Sequence, residues 1–179
     1  MGQYMTTSAP PTVQEEFRLA GRDTWRVVLG TAFGIDPTTI EEMAIPDARN
    51  IMHKVAQKMT DQTILDAIAK DCASIEPNDS LQIEMALKHH VVQEALVHKV
   101  YLGGEPTSLV EDCGFGPGNE GYVRMQMTMA EHQNDPLVAQ YIGTAMMGIL
   151  KVAGLDTAVQ QQAEAIAGSG DAIPTTTSP

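Results

Sequence analysis

The chain has 179 residues, 43% of them hydrophobic, which is the length of one domain and enough apolar content for a core without disulfide or metal staples. Its formal charge of −12 repels nucleic-acid phosphates and anionic lipid, so nucleic acid is excluded as an expected partner. The negative charge gathers in the middle third: residues 61–121 hold 11 acidic and 3 basic groups, against 7 and 6 before them and 5 and 2 after.

Residues 1–11 are polar and end in Pro10-Pro11, which reads as a disordered tail without the charged and apolar regions of a secretory signal. Thr12 and Glu15 have capping-box spacing, and a helix over 13–33 follows. It is expected to turn Val13, Phe17, Ala20, Thr24 and Val28 inward and to stop at Gly34. Arg18, Arg22 and Arg26 recur at i, i+4 and i+8 on the same helix. They read either as a solvated face pairing with acids such as Glu15 and Asp23, or as an attachment surface for an acidic partner such as the middle third of another copy.

Asp36-Pro37 is an N-cap followed by a first-turn proline, so a short helix starts there. Pro46 opens a helix over 46–59. Thr60 is expected to cap another running to about 75, with Ile64, Leu65, Ile68 and Cys72 as its apolar stripe. After the turn Glu76-Pro77-Asn78-Asp79 a long helix spans 81–102. Residues 103–121, GGEPTSLVEDCGFGPGNEG, read as an acidic Gly-rich loop. A Met-rich helix is predicted over 122–133. Asp135-Pro136 then repeats the cap-plus-proline signal for a buried central helix ending at Gly154. That apolar run nearly reaches bilayer-spanning length, but Gln140, Thr144 and Lys151 interrupt it, so no membrane span is expected. A last helix over 156–167 precedes a disordered tail, 168–179.

No stretch alternates as a strand would. The expected fold is therefore all-α: one bundle-like domain of six to eight helices over 12–167. Cys72 and Cys113 are the only cysteines and lack CxxC spacing, which suits a reducing compartment and a cytoplasmic location.

Chemistry is concentrated on the helix 81–102. On a wheel of 100° per residue, His90, Glu94 and His98 share one 80° arc with Ile83, Leu87, Val91, Val97 and Tyr101 on or beside it, while Leu81, Met85, Val92, Leu96 and Val100 form a second apolar face. Imidazoles and a carboxylate four residues apart converge as metal ligands do, with His53, Glu131 or His132 as distant candidates. The di-iron bundle pattern needs Glu-x-x-His, which the sequence lacks. The same groups also fit a hydrogen-bonded seam, or acid–base catalysis if a pocket reaches them. Gly116, Gly118 and Gly121 match GxGxxG, but a helix and an acidic loop precede them where the fingerprint needs a strand. Cys113 has no neighbouring base to activate it. Met125, Met127, Met129, Met146 and Met147 read as irregular core filling. Ala139 and Gly143, like Thr144 and Gly148, would let another helix approach closely.

No constellation carries chemistry strongly enough to predict a catalytic residue or a cofactor. The expectation is a non-catalytic, self-associating subunit that acts as scaffold or adaptor in a larger complex, with itself and another protein as partners. Leu87, Val91, Val97 and Tyr101, together with Arg18, Arg22 and Arg26, are its candidate interface residues. The alternative is a small-molecule or metal-binding bundle using His90, Glu94 and His98. A capsid-type structural component is a third reading that the same features fit.

Overall fold

The computed structural model describes residues 13–156, with side chains from Leu19 onward. These residues form seven α-helices and no strand: α1 Val13–Phe33, α2 Ile45–Met59, α3 Gln62–Ala73, α4 Leu81–Ala95, α5 Leu109–Asp112, α6 Gly118–Met129 and α7 Pro136–Ala153. The all-α expectation holds. Both tails, the Thr12 cap and all but the first residue of the helix expected over 156–167 lie outside the described residues.

Several boundaries follow from local chemistry read in the sequence. Gly34, at φ 70°, supplies the left-handed turn that ends α1. Asp36 accepts from the Thr38 amide at 2.9 Å and caps a 3₁₀ turn, Pro37–Thr39, with the proline in its first position. Asp135 receives the amides of Leu137 and Val138 at 3.1 Å to start α7, and Gly154 closes it. One cap is different from expectation. Asp61, not Thr60, starts α3 by accepting from Thr63, while the Thr60 hydroxyl donates back to Gln57 and Ala56 carbonyls and seals the end of α2.

The Gly-rich segment is more ordered than its composition suggests. Ser108 and Glu111 form a reciprocal capping box, the Ser108 amide donating to the Glu111 carboxylate at 2.8 Å and the Glu111 amide to Ser108 Oγ at 3.3 Å, which nucleates α5 and buries Leu109 and Val110. The helix expected to start at 122 begins at Gly118 and gives way at Ala130–His132 to a 3₁₀ turn.

The main core lies between α7 and the helices α2, α3 and α4, with Val55, Met59, Ile68, Val92, Ile149 and Leu155 excluded from solvent. Such burial is the principal stabilising term for a chain without disulfides. α6 is covered on two sides: Met125 and Met129 enter the main core, while Val123 and Met127 meet Ile35 in a second, smaller one. This is the core-filling role expected of those methionines; Met147, by contrast, is 60% exposed.

α7 is central by its contacts but is not enclosed. Val138, Ala145, Ile149 and Ala153 face the core, and Ala139, Gln140, Gly143, Thr144 and Met147 face out. Among the described residues no neighbouring atom lies within 4 Å of the Cβ positions at Gly143 and Gly148, so no described helix uses the close approach those residues allow. Among the described helices α7 is the one whose length and apolar composition would suffice to cross a bilayer; in this fold it packs on α2 and α3.

α1 lies against α6 and the Ala130–His132 turn with a face opposite to the one expected. Ala20, Thr24 and Val28 are exposed, and Arg22, Arg26 and Leu29 point toward the body. A guanidinium on a long apolar stem can face inward when carbonyls and carboxylates receive its N–H groups.

Candidate functional site

α4 and the turn Leu96–Tyr101 that continues it place His90, Glu94 and His98 on one surface. His98 Nε2 lies 3.2 Å from Glu94 Oε2, with both side chains more than half exposed. His90 stands a turn earlier, also exposed. Together with Asp71, Ser74 and Ile75 at the end of α3, and with Val91, Ala95 and Lys99, they line an open groove of about 510 Å³. Polar groups converge here over a partly apolar floor, which is how a small polar molecule is held. Among the described residues no three His, Cys, Asp or Glu side chains come together as a metal site would need.

The apolar residues on this side of α4 separate into two groups. Ile83 and Leu87 are 51% and 45% exposed, and Leu81 at the start of the helix is 60% exposed. Val91 and Tyr101 are partly buried and pack against the main core, and Val97 is half-buried. Tyr101 stacks edge-on against Tyr122 with ring centroids 5.1 Å apart. Burial drives its hydroxyl pKa up to about 12. The inward position of Tyr101 corrects its assignment to the outer face, and the cause is a change of helix type. Leu96–Tyr101 continue α4 as a π-helix, in which Leu102 N–H reaches back five residues to Val97 O at 2.9 Å. Each residue then turns through less than 100°, so the offset from the wheel accumulates along the turn and is greatest at its last residue, Tyr101.

Gly103 ends this π turn. A Cβ there would lie 2.7 Å from Lys99 O and 2.8 Å from His98 O, so only glycine fits. Lys58 on α2 donates to the Gly103 carbonyl and fixes the exit of the chain; burial lowers the pKa of that amine.

The arginine row on α1 is engaged within the chain at two of its three positions. Arg22 bridges Asp23 at 2.9 Å, Glu131 at 3.2 Å and Glu42 at 3.3 Å. Burial disfavours its charge, and the bonds to Asp23 and Glu131 outweigh that and raise its pKa. Arg26 is 6% exposed and donates Nε–H to Met127 O at 2.9 Å, while one terminal nitrogen is buried without a hydrogen-bond partner. Burial, followed by repulsion from Arg22, lowers its pKa. The side chain of Arg18 is outside the described set. Neither Arg22 nor Arg26 is therefore available as a basic attachment surface. What α1 presents outward is Trp25, Val27, Val28 and Phe33, between 43% and 58% exposed.

The remaining candidates are dispersed. His132 is buried and its Nε2 bonds Met43 O at 2.8 Å, while Glu131 beside it bonds Arg22. His53 stacks edge-on with Tyr141 between α2 and α7. Cys113 borders a hollow of about 340 Å³ with Met43, Phe115 and Arg124, and burial more than its acidic neighbour Asp112 raises its thiol pKa. Gly116, the first glycine of the GxGxxG spacing, is preceded by α5 and a turn, not by a strand, so the spacing has no phosphate-binding context. Sequence reasoning missed the α1 outer patch altogether. The signal available for it was the run Trp25, Val27 and Val28, which no single inward face can accommodate. No protein-family model, no curated protein and no solved structure matches this chain.

Proposed function

We propose that the chain is a non-catalytic helical subunit that self-associates and serves as a scaffold or adaptor within a larger protein complex, in the cytoplasm. One observation carries this reading: large apolar side chains are left uncovered in groups, Trp25, Val27, Val28 and Phe33 on α1 and Leu81, Ile83 and Leu87 on α4. Scattered exposed apolar residues are ordinary, but grouped ones on regular elements mark contact surfaces. The acidic charge supports protein partners over nucleic acid or anionic lipid. Native mass spectrometry of the purified chain tests the proposal. A defined oligomer of bare chains is expected; a monomer at every concentration would overturn self-association.

The groove beside His90, Glu94, His98 and Lys99 favours a second reading, a small-molecule-binding bundle. Extra stoichiometric mass on the monomer, lost from His90→Ala and Glu94→Ala variants, is the outcome that would put this reading first.

A further inference from the structure

We propose that the groove between the end of α3 and the π turn after α4 binds a small zwitterion with an apolar substituent, the class to which a free apolar α-amino acid belongs. This rests on the small-molecule reading of the groove and names its ligand.

The backbone departs from the α-helix where the groove is built. On a wheel of 100° per residue, Lys99 would stand about 180° from His90, on the far side of α4. The π turn Leu96–Tyr101 rotates each residue less and so brings Lys99 round toward His90, and both line the groove. A π turn inside a helix is rare and recurs at functional sites. Here Gly103, where only glycine fits, and the bond from Lys58 to its carbonyl hold the end of the turn.

The two walls carry opposite free charge. Glu94 is engaged by His98 at 3.2 Å, and the Ser74 hydroxyl donates to the Asp71 main-chain carbonyl at 2.6 Å. The Asp71 carboxylate, the His90 ring and the Lys99 ammonium have no hydrogen bond or ion pair among the described residues. Asp71 lies in the last turn of α3, where the negative end of the helix dipole adds to its charge, so this wall attracts an ammonium. On the facing wall Lys99 is a cation and His90 can become one, so that wall attracts a carboxylate. A simple anion would meet Asp71 and a simple cation would meet Lys99. One molecule carrying both charges satisfies both walls. Ile75, Val91 and Ala95 complete the lining of the 510 Å³ groove and give its substituent an apolar surface.

Three probes test this on the full-length chain: L-leucine, N-acetyl-L-leucine, which lacks the ammonium, and L-leucinamide, which lacks the carboxylate. NMR follows the imidazole signals of His90 and His98, assigned from His90→Asn and His98→Asn variants. L-leucine is expected to shift both signals saturably and to bind about tenfold tighter than either analogue. Asp71→Asn should remove the preference over N-acetyl-L-leucine, and Lys99→Met the preference over L-leucinamide. Helix content and thermal unfolding show that each variant folds; Lys99→Gln takes the place of Lys99→Met should the latter fail. Equal binding of the three probes, or unchanged preferences in both variants, overturns the zwitterion site while the small-molecule reading stands. No shift with any probe also overturns the zwitterion site, and the presence or absence of bound mass in the native spectrum then decides the small-molecule reading separately.

Discussion

α1 and α4 are both surface helices, and they turn opposite chemistry toward the body. α4 buries Val92, Ala95 and Leu96 and shows water His90, Glu94 and His98 together with Ile83 and Leu87. α1 turns two arginines inward and shows water Trp25, Val27 and Val28. α4 is held mainly by apolar area. α1 relies more on polar links: Arg22 to Glu42 and Glu131, and Arg26 to Met127 O. The contrast shows that amphipathic spacing marks two faces of a helix without deciding which is inside. That depends on whether distant groups can receive the polar side chains.

The largest expected effect is on α4. Val92→Asp buries a charge at a position 2% exposed, and should cost about 4 kcal/mol or more, seen as loss of cooperative unfolding in urea. On α1 the corresponding inward change is polar. Arg26→Ala removes a charge-assisted bond and leaves the Met127 carbonyl without that donor, an expected loss of about 2 kcal/mol. Arg26→Met keeps the stem and removes the buried unpartnered nitrogen, so it should cost less than alanine. An equal loss would mean that the polar bond, not the packing of the stem, holds α1.

A third test asks whether polar links matter in the main body too. Hydrogen bonds from Arg49, at 3.0 and 2.7 Å, above all hold the Asp135 carboxyl at about 2, below its ordinary 3.8. Because the folded value is the lower one, its contribution is fully present above pH 3.8 and is lost as pH falls through about 2. Asp135→Asn should lower the unfolding temperature at neutral pH and flatten its decline across that window. The smallest effects belong to the outer faces. Val28→Ser and Leu87→Ser should each change the stability of the isolated chain by no more than about 0.5 kcal/mol in denaturant titrations.

Much of the scaffold was legible because its signals are local. Gly34, Asp36-Pro37, Asp135-Pro136 and Gly154 act within a turn of themselves, and each bounds an element where expected. The facing of α1 was not legible, since the acceptors for Arg26 and Arg22 lie 101 and 109 residues away in sequence. Tyr101 was misplaced because a fixed 100° wheel cannot register a π turn. Ser108-x-x-Glu111 was a readable capping box, obscured by the glycines around it. The His90, Glu94 and His98 arc was placed correctly on one face; the groove depends on the end of α3 lying beside it, which no spacing within α4 could reveal.

The chain contains a single tryptophan, Trp25, and the fold sets it 43% exposed on α1 rather than in either core. Its emission is therefore a native optical reporter of what reaches that helix. Unfolding should carry its exposure up from 43% and shift the emission to longer wavelength, whereas a surface closing over α1 should shift it to shorter wavelength and shield the indole from added quenchers, with no label attached.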